Sequence, residues 1–209
     1  MHETKDDAVI SSPWGGGESP FAINSKKFGM WLFLVSDTLT FAALILAYSY
    51  LRLANPDWPR PFEFSPAIIN TTIMTVILLG SSLTMVMAVS AAHGHDRAKA
   101  VRYLLLTAGG GVLFDILHIR EWFHLFSEGY GFGKSPEGVP LFGSAFFGIT
   151  GMHMAHVTIG IVYIAIIAVG YGRDKFTADD VEVSGLYWHF VDLVWMFVFP
   201  MIYLMSIKL

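Results

Sequence analysis

The stretch D-I-L-H-I-R-E-W-F-H, from Asp115 to His124, decides how this chain folds. Five of its ten residues are ionisable, yet it continues an apolar segment. A charged side chain near the centre of a bilayer costs roughly 2.5 to 3.5 kcal/mol on an insertion scale, so this stretch cannot face lipid tails. Its polar side chains recur at every third residue: Asp115, His118, Glu121 and His124. Residues at that spacing are neighbours along a helix, and other helices must cover them.

The composition of the chain is that of an integral membrane protein. Its 209 residues are 54% hydrophobic with a mean hydropathy of +0.55, and only 14% are charged, against roughly a quarter in soluble domains. The small net charge of −4 and the scattered basic residues argue against nucleic acid as a partner. The absence of cysteine excludes disulfides, thiolate metal sites and a cysteine nucleophile.

Five stretches are long and apolar enough to cross a bilayer, which takes about 20 helical residues. We predict membrane-spanning helices over residues 28–53, 66–92, 103–126, 141–171 and 183–207. Residues 1–27 lack the apolar core of a secretory signal, and we predict that they form a polar cytoplasmic tail. The expected fold is therefore all-α and polytopic, with one transmembrane domain over residues 28–209.

Basic residues that flank the spans predict the orientation of the chain. The side that holds the N-terminus carries Lys5, Lys26, Lys27, Arg97, Lys99, Arg102, Arg173 and Lys175, and the other side carries Arg52, Arg60, Lys134 and Lys208. Cytoplasmic loops carry the excess of lysine and arginine, so eight residues against four favour a cytoplasmic N-terminus.

The first span carries one carboxylate, Asp37, in L-V-S-D-T-L-T, about ten residues from its start. One interpretation is a carboxyl group that is hydrogen-bonded to a neighbouring serine or threonine. The other is a role in handling protons or ions, because ionisable residues inside a bilayer are candidates for function. The sequence favours neither interpretation.

Paired polar residues mark the fourth and fifth spans. T-G-M-H-M-A-H-V-T-I-G places His153 and His156 three residues apart on one helix face. Y-W-H-F-V-D-L-V-W places His189 and Asp192 at the same spacing. Two histidines so spaced can share a metal or ligate haem. We favour hydrogen bonds between helices for both pairs, because no third ligand with comparable spacing lies in the fourth span.

Two further classes of protein stay open on the residues alone. An independent haem- or quinone-binding membrane cytochrome would use pairs among His118, His153, His156 and His189. A channel or transporter would line its path with Asp37 and Glu121. Hydrolase chemistry has no support, because the chain contains neither G-x-S-x-G nor H-E-x-x-H.

Four motifs together resemble subunit III of haem–copper terminal oxidases, in its five-helix bacterial form. The resemblance rests on the two paired motifs, over residues 150–160 and 187–195. It continues in G-M-W-L-F-L-V-S-D, which ends at Asp37, and in the pair Glu121-Trp122. These motifs are spread in order over nearly all of the five spans, and together they are specific.

The resemblance implies a subunit of a terminal oxidase that has no catalytic centre, haem, copper or metal ligand of its own. Haem and copper belong to subunits I and II, which reduce oxygen and pump protons. The third subunit is implied to pack directly against subunit I, to sustain its turnover and to lie near the entrance of a proton-uptake path. Its helices would form a V-shaped bundle, the first two against the other three, with phospholipids and a proposed oxygen route in the cleft.

The resemblance also assigns site residues by position. Asp37 and Glu121 match buried acidic residues that are proton-related or structural. The paired motifs carry the interhelical residues His153, His156, His189 and Asp192. The chemistry of Arg120 and His124, more than any motif, makes them candidates for binding lipid headgroups.

The electron donor and the cellular context follow from the same resemblance. Cytochrome c is the favoured donor, and quinol is the alternative, because quinol oxidases of this superfamily can carry aspartate at the position of Asp37. The expected location is the bacterial inner membrane, with subunits I and II and phospholipids as partners. Small subunits or a respiratory supercomplex complete the list of expected partners.

Overall fold

The structure, a computed structural model, describes residues 25–208 except for the side chain of residue 66. Five long helices follow one another: α1 (Ser25–Ala54), α2 (Ile69–His93), α3 (Arg97–Ser127), α4 (Pro140–Gly172) and α5 (Ala178–Val198). All five are long and apolar enough to cross a bilayer, which confirms the predicted all-α, polytopic fold. Residues 1–24 of the predicted polar tail lie outside the described residues, and residues 25–27 belong to α1.

Helix α3 begins at Arg97, six residues before the predicted span, because its first turn is capped. The Asp96 carboxylate accepts a hydrogen bond from the Lys99 backbone N–H at 3.2 Å and pairs with the Lys99 ammonium at 2.8 Å. Hydrogen bonding to Lys99 holds the pKa of Asp96 below its ordinary value, so the capping carboxylate is ionised at neutral pH. Only residues 94–96 between the second and third helices therefore lie outside a helix.

Helix α5 also begins earlier than its predicted span, at Ala178. Thr177 and Asp180 form a capping box, in which the Asp180 carboxylate accepts a hydrogen bond from the Thr177 backbone N–H at 2.9 Å. At the other end, Pro200 has no backbone N–H to donate, and the helix widens into a π-helical turn over Phe199–Tyr203. The fifth span is thus a helix with an irregular end.

Four of the helices form a closed bundle. Helix α3 packs between α2 and α4, and α5 completes the ring by packing against α4 and α2. Helix α1 lies outside the ring, against α5 and to a smaller extent α4. The V-shaped division of two helices against three is not confirmed, because α1 and α2 make no extensive contact within the described residues.

Two tryptophans of α5 lie at the centre of the bundle and are fully buried. The Trp188 indole N–H donates to the Ser81 hydroxyl, and the Trp195 indole N–H donates to the Thr75 hydroxyl, each at 3.0 Å. A buried indole needs such a partner, and both partners lie on α2. The two hydrogen bonds therefore fix how α5 is rotated against α2.

Close approach of α3 to its neighbours requires a glycine at position 111. A Cβ atom at Gly111 would lie 2.5 Å from a ring carbon of Trp188 and 2.8 Å from Cγ1 of Ile161. At Gly109, two residues earlier on the same helix, a Cβ atom would meet nothing within 4 Å. Small residues let helices of membrane proteins pack closely, and only Gly111 of this pair has that role.

We expect Gly111→Ala to destabilise the fold by about 1–3 kcal/mol, because the added methyl group overpacks the contact with Trp188. Gly109→Ala is the matched control and should be neutral or slightly stabilising, since alanine is the better helix former. The free energy of unfolding in mixed detergent micelles measures both variants. Equal stability of the two variants would contradict the close packing described at Gly111.

Candidate functional site

Asp37 of α1 and His156 of α4 form a buried polar pair near the middle of the helices. Asp37 Oδ2 lies 3.3 Å from His156 Nε2, and the two side chains are only 10% and 15% exposed. The atoms are within ion-pair distance but are not aligned as a hydrogen bond. The edge of the Phe41 ring packs against the imidazole, with ring centroids 5.3 Å apart. This pair connects α1 to the bundle at membrane depth.

The geometry of His156 restricts where protons lie in this pair. Its Nδ1 is 2.8 Å from the backbone carbonyl of Met152, an acceptor, so Nδ1 carries a proton. Without a second proton, the Nε2 lone pair would lie opposite the carboxylate lone pairs of Asp37. One proton between Oδ2 and Nε2 removes that repulsion, whether it resides on the acid or on the imidazole. The pair can therefore hold a proton inside the bilayer.

Glu121 of α3 is buried against α2. The Thr71 hydroxyl lies 3.4 Å from both carboxylate oxygens of Glu121 and also donates to the Ala67 carbonyl at 2.9 Å. Glu121 also lines a cavity of about 150 Å³ between the start of α2 and the end of α3. Its other lining residues are Pro61, Phe62, Glu63, Ala67, Asn70, Arg120, His124, Leu125 and Glu128.

Arg120 and His124 both line this cavity. His124 Nδ1 lies 3.3 Å from the Glu128 carboxylate. No carboxylate lies within ion-pair distance of the Arg120 guanidinium among residues 25–208. The guanidinium is thus available for an anionic group at the membrane surface.

His153 and His118 are fully buried in the core. Both pack against the Phe114 ring, with centroid distances of 5.6 Å to His118 and 5.7 Å to His153. His153 Nε2 donates to the Val191 carbonyl of α5 at 3.1 Å, and the Trp195 ring covers its face at 4.9 Å. Although three residues apart on α4, His153 and His156 therefore contact different helices. His153 contacts α5, whereas His156 contacts α1.

His189 and Asp192 of α5 lie next to α2. His189 Nδ1 is 3.3 Å from the Ser82 hydroxyl, and Ser82 also lies near the carboxyl group of Asp192. One serine on α2 thus lies beside both members of the second paired motif. The arrangement is a contact between two helices.

The hydroxyl groups of α2 that supply these contacts were not predicted from the sequence. Thr71, Thr75 and Ser82 are separated by four and then seven residues, which places them on one side of the helix. Each meets a polar group of α3 or α5. The helical spacing of serine and threonine in the second span was the signal that would have found them.

Ion pairs join the helix ends on the side where α1 begins. The Lys26 ammonium lies 2.6 Å from the Asp180 carboxylate, and the Lys27 ammonium lies 2.7 Å from Glu182. His93 Nε2, at the end of α2, is 3.4 Å from the same carboxylate of Glu182. Exposed pairs of this kind are individually weak, but they connect α1 and α2 to the start of α5.

Comparison with known proteins gives a match over almost the whole chain. The family model described as "Cytochrome c oxidase subunit III" matches residues 2–207. The cytochrome c oxidase subunit 3 of Alkalihalophilus pseudofirmus is 35% identical over 186 residues, which is 88% of this chain and 88% of the relative.

Similar proteins also include subunits of quinol oxidases. The cytochrome bo(3) ubiquinol oxidase subunit 3 of Pseudomonas aeruginosa is 32% identical over 185 residues, or 86% of this chain and 84% of the relative. The quinol oxidase subunit 3 of Bacillus spizizenii is 33% identical over 201 residues, or 92% of this chain and 96% of the relative.

We expect the Asp37–His156 contact to appear as a coupling energy of about 0.5–3 kcal/mol in a double-mutant cycle with Asp37→Leu and His156→Leu. His156→Leu should be the more damaging single change, because it leaves a buried carboxyl without a partner. The free energy of unfolding in mixed micelles measures the cycle. Thr40→Val, at an exposed position of α1, is the control and should change stability by less than about 0.5 kcal/mol. Additive single effects would contradict the contact.

Proposed function

Because this chain belongs to the cytochrome c oxidase subunit III family, we propose that it is the accessory, non-redox subunit of a respiratory haem–copper oxidase. In this role it stabilises subunit I, binds phospholipid and supports proton uptake while the complex reduces oxygen. Membership in the family makes the chain a part of a terminal oxidase complex and a multi-pass membrane protein. Haem and copper are assigned to the partner subunits.

One observation carries the non-redox assignment: the histidines of the spans are engaged by neighbouring helices. His153 bonds to α5, His156 lies between Met152 and Asp37, and His189 meets a serine of α2. The His118 ring is enclosed by aromatic rings, and its Nε2 lies 3.5 Å from a tyrosine hydroxyl of the core. Side chains used in this way hold helices together, which is what an accessory subunit requires of them.

Proton uptake is assigned to the Asp37–His156 pair. The pair lies near the middle of the helices, is almost fully buried and places a carboxyl oxygen within 3.3 Å of an imidazole nitrogen. The pair supports turnover from a distance and takes no part in the oxygen chemistry itself. Glu121, in the cavity at the end of α3, is assigned a structural part in the contact with α2.

Cytochrome c is the favoured electron donor, and quinol is the specific alternative. The alternative has support because relatives named as quinol oxidase subunits are 32–33% identical to this chain, close to the 35% of a cytochrome c oxidase subunit. Under this proposal, subunit III does not contact the site at which either donor delivers its electrons. The donor is therefore decided by the partner subunits.

The proposed setting is the bacterial inner membrane with a cytoplasmic N-terminus. The basic residues at the starts of α1 and α3 and just after the end of α4 lie on one side, which supports this orientation. Subunit I is the direct neighbour, and subunit II belongs to the same complex. Small subunits and a supercomplex are further proposed partners.

Two sites for phospholipid are proposed, one at each membrane surface. The cavity with Arg120 and His124 offers a cation to a headgroup phosphate at the end of α3. A groove of about 590 Å³ on α4 is lined by apolar side chains, with Arg173 and Lys175 at its mouth. An acyl chain fits the apolar groove, and the two cations complement the phosphate above it.

We expect Glu121→Leu and His156→Leu to weaken assembly of the oxidase while leaving the haem spectrum of each assembled complex unchanged. The spectrum per complex is measured after purification, and the chain purified alone should show no Soret band. Loss of haem from a fully assembled variant complex, or a reducible Soret band from the isolated chain, would contradict the non-redox role.

We expect Asp37→Asn to leave the initial turnover of the complex within about twofold of normal but to shorten its catalytic lifetime. Oxygen consumption followed to inactivation measures both quantities in one experiment. Loss of a direct acid–base catalyst typically lowers a rate by about 10²-fold or more. An immediate fall of that size would show that Asp37 takes part directly in the oxygen chemistry.

We expect Arg120→Ala to lower the amount of tightly bound phospholipid in the purified complex, because the phosphate loses its guanidinium partner. Mass spectrometry of the extracted lipid measures the loss. Lys134→Ala is the control, since Lys134 is basic and lies in the connection that follows α3 but does not line the cavity. Equal lipid retention in both variants would remove Arg120 from the proposed site.

A further inference from the structure

A polar cluster on the side where α1 begins is not used by the proposed function. His93, the last residue of α2, lies beside Asp179 and Glu182 in the first two turns of α5. One imidazole nitrogen and one oxygen of each carboxylate all lie within 4.8 Å of one another. The three side chains are partly exposed, so an ion in solution can reach them.

The imidazole of His93 is oriented as a metal ligand. Its Nδ1 lies 3.0 Å from the Val89 backbone carbonyl, which only accepts hydrogen bonds, so Nδ1 carries a proton. The neutral ring then presents the lone pair of Nε2, which lies 3.4 Å from Glu182 Oε2. Histidines that bind metals typically donate their other ring N–H to a carbonyl or carboxylate. The lone pairs of Nε2 and Oε2 repel each other unless a proton or a metal ion lies between them.

The donor atoms and their spacing fit zinc. Zinc binds nitrogen and oxygen ligands at about 2.0–2.2 Å in a tetrahedron, which places any two ligands roughly 3.3 to 3.6 Å apart. The 3.4 Å between His93 Nε2 and Glu182 Oε2 matches that separation. Calcium and magnesium prefer oxygen ligands alone, so the imidazole nitrogen favours a transition metal.

A cation of the protein already lies against these carboxylates. The Lys27 ammonium of α1 lies 2.7 Å from Glu182 Oε2 and 3.7 Å from Asp179 Oδ1. Oε2 is also the oxygen that faces His93 Nε2. A divalent ion bound at Oε2 repels an ammonium group at that distance, so the ion and the ammonium compete for one oxygen.

We propose that His93, Asp179 and Glu182 form a binding site for a divalent transition-metal ion of the zinc class, and that the ion displaces the Lys27 ammonium from Glu182. The bound ion joins the end of α2 to the start of α5 and releases one ion pair of α1. The site requires only the folded chain, so the proposal does not depend on the place of the chain in an oxidase.

Calorimetric titration of the untagged, full-length chain in detergent with Zn²⁺, after residual metal is removed by a chelator, tests the site. We expect His93→Ala to lower the affinity by at least about tenfold, the loss that removal of even an outer partner of a ligand typically causes. His95→Asn is the control, because His95 is exposed and lies outside the ligand set, and asparagine tolerates its φ of 57°. Equal affinities of the two variants, or binding of Mg²⁺ as tight as that of Zn²⁺, would overturn the proposal.

Lys27→Met separates displacement from a general loss of structure, because the two effects have opposite signs. Removal of the competing ammonium should raise the affinity for Zn²⁺ by up to about fivefold, the size of one exposed ion pair. A disturbed surface would lower the affinity. Lys26→Met is the control and should have a smaller effect, since Lys26 pairs with Asp180, at 2.6 Å, outside the ligand set. A lower affinity in Lys27→Met, or an equal rise in both variants, would contradict the competition.

Acetylation of the lysines with an amine-reactive ester follows the displacement directly. With saturating Zn²⁺, Lys27 of the unaltered chain should be acetylated faster, because its amine is released from Glu182, and the rate at Lys26 should stay the same. Fragmentation mass spectrometry distinguishes the two adjacent residues, and zinc should have no effect in His93→Ala. An unchanged rate at Lys27, or an equal rise at both lysines from a general opening of α1, would overturn the displacement.

Discussion

The hydrocarbon core of a bilayer contains no water to satisfy a polar side chain, and the arrangement of this protein depends on that constraint. Each ionisable group at membrane depth must find its partner on another helix or outside the chain. Asp37 meets His156, Glu121 meets Thr71, and His153 meets a carbonyl of α5. These contacts set which helices are neighbours and how they are rotated.

Helix α5 makes several of the contacts that hold the helices in place. Its buried tryptophans hydrogen-bond to hydroxyl groups of α2, and its first two turns form the ion pairs that hold the start of α1. Gly111 of α3 admits the Trp188 ring, so the large side chain of one helix and the missing side chain of another are complementary. The same side chain, Trp188, is thus both hydrogen-bonded and closely packed.

The same constraint separates the inward from the outward surfaces of the subunit. Inside the bundle, many polar side chains meet a partner on another helix of the chain. On the outside, Arg120 beside its cavity and Arg173 beside its groove lack ion-pair partners among residues 25–208. These outward groups are where lipid would supply what the chain lacks.

The sequence by itself determined the five helices, because length and apolarity are local properties that each segment carries alone. It also identified the polar residues at membrane depth and the motifs that indicate the family. The helix starts at Arg97 and Ala178 were misjudged, since charged first turns looked like loops although Asp96 and Thr177 cap them. Because capping depends on neighbouring residues only, the capping residues in the sequence indicate where both helices begin.

Only the tertiary structure decided which partner each polar residue meets. His153 and His156 share a helix face by spacing, yet one contacts α5 and the other α1, because α4 packs against both of these helices. The position of α1 outside a four-helix ring was likewise not encoded in the periodicity of any segment. Partners depend on the rotation and height of one helix relative to another, and packing between side chains distant in sequence sets both.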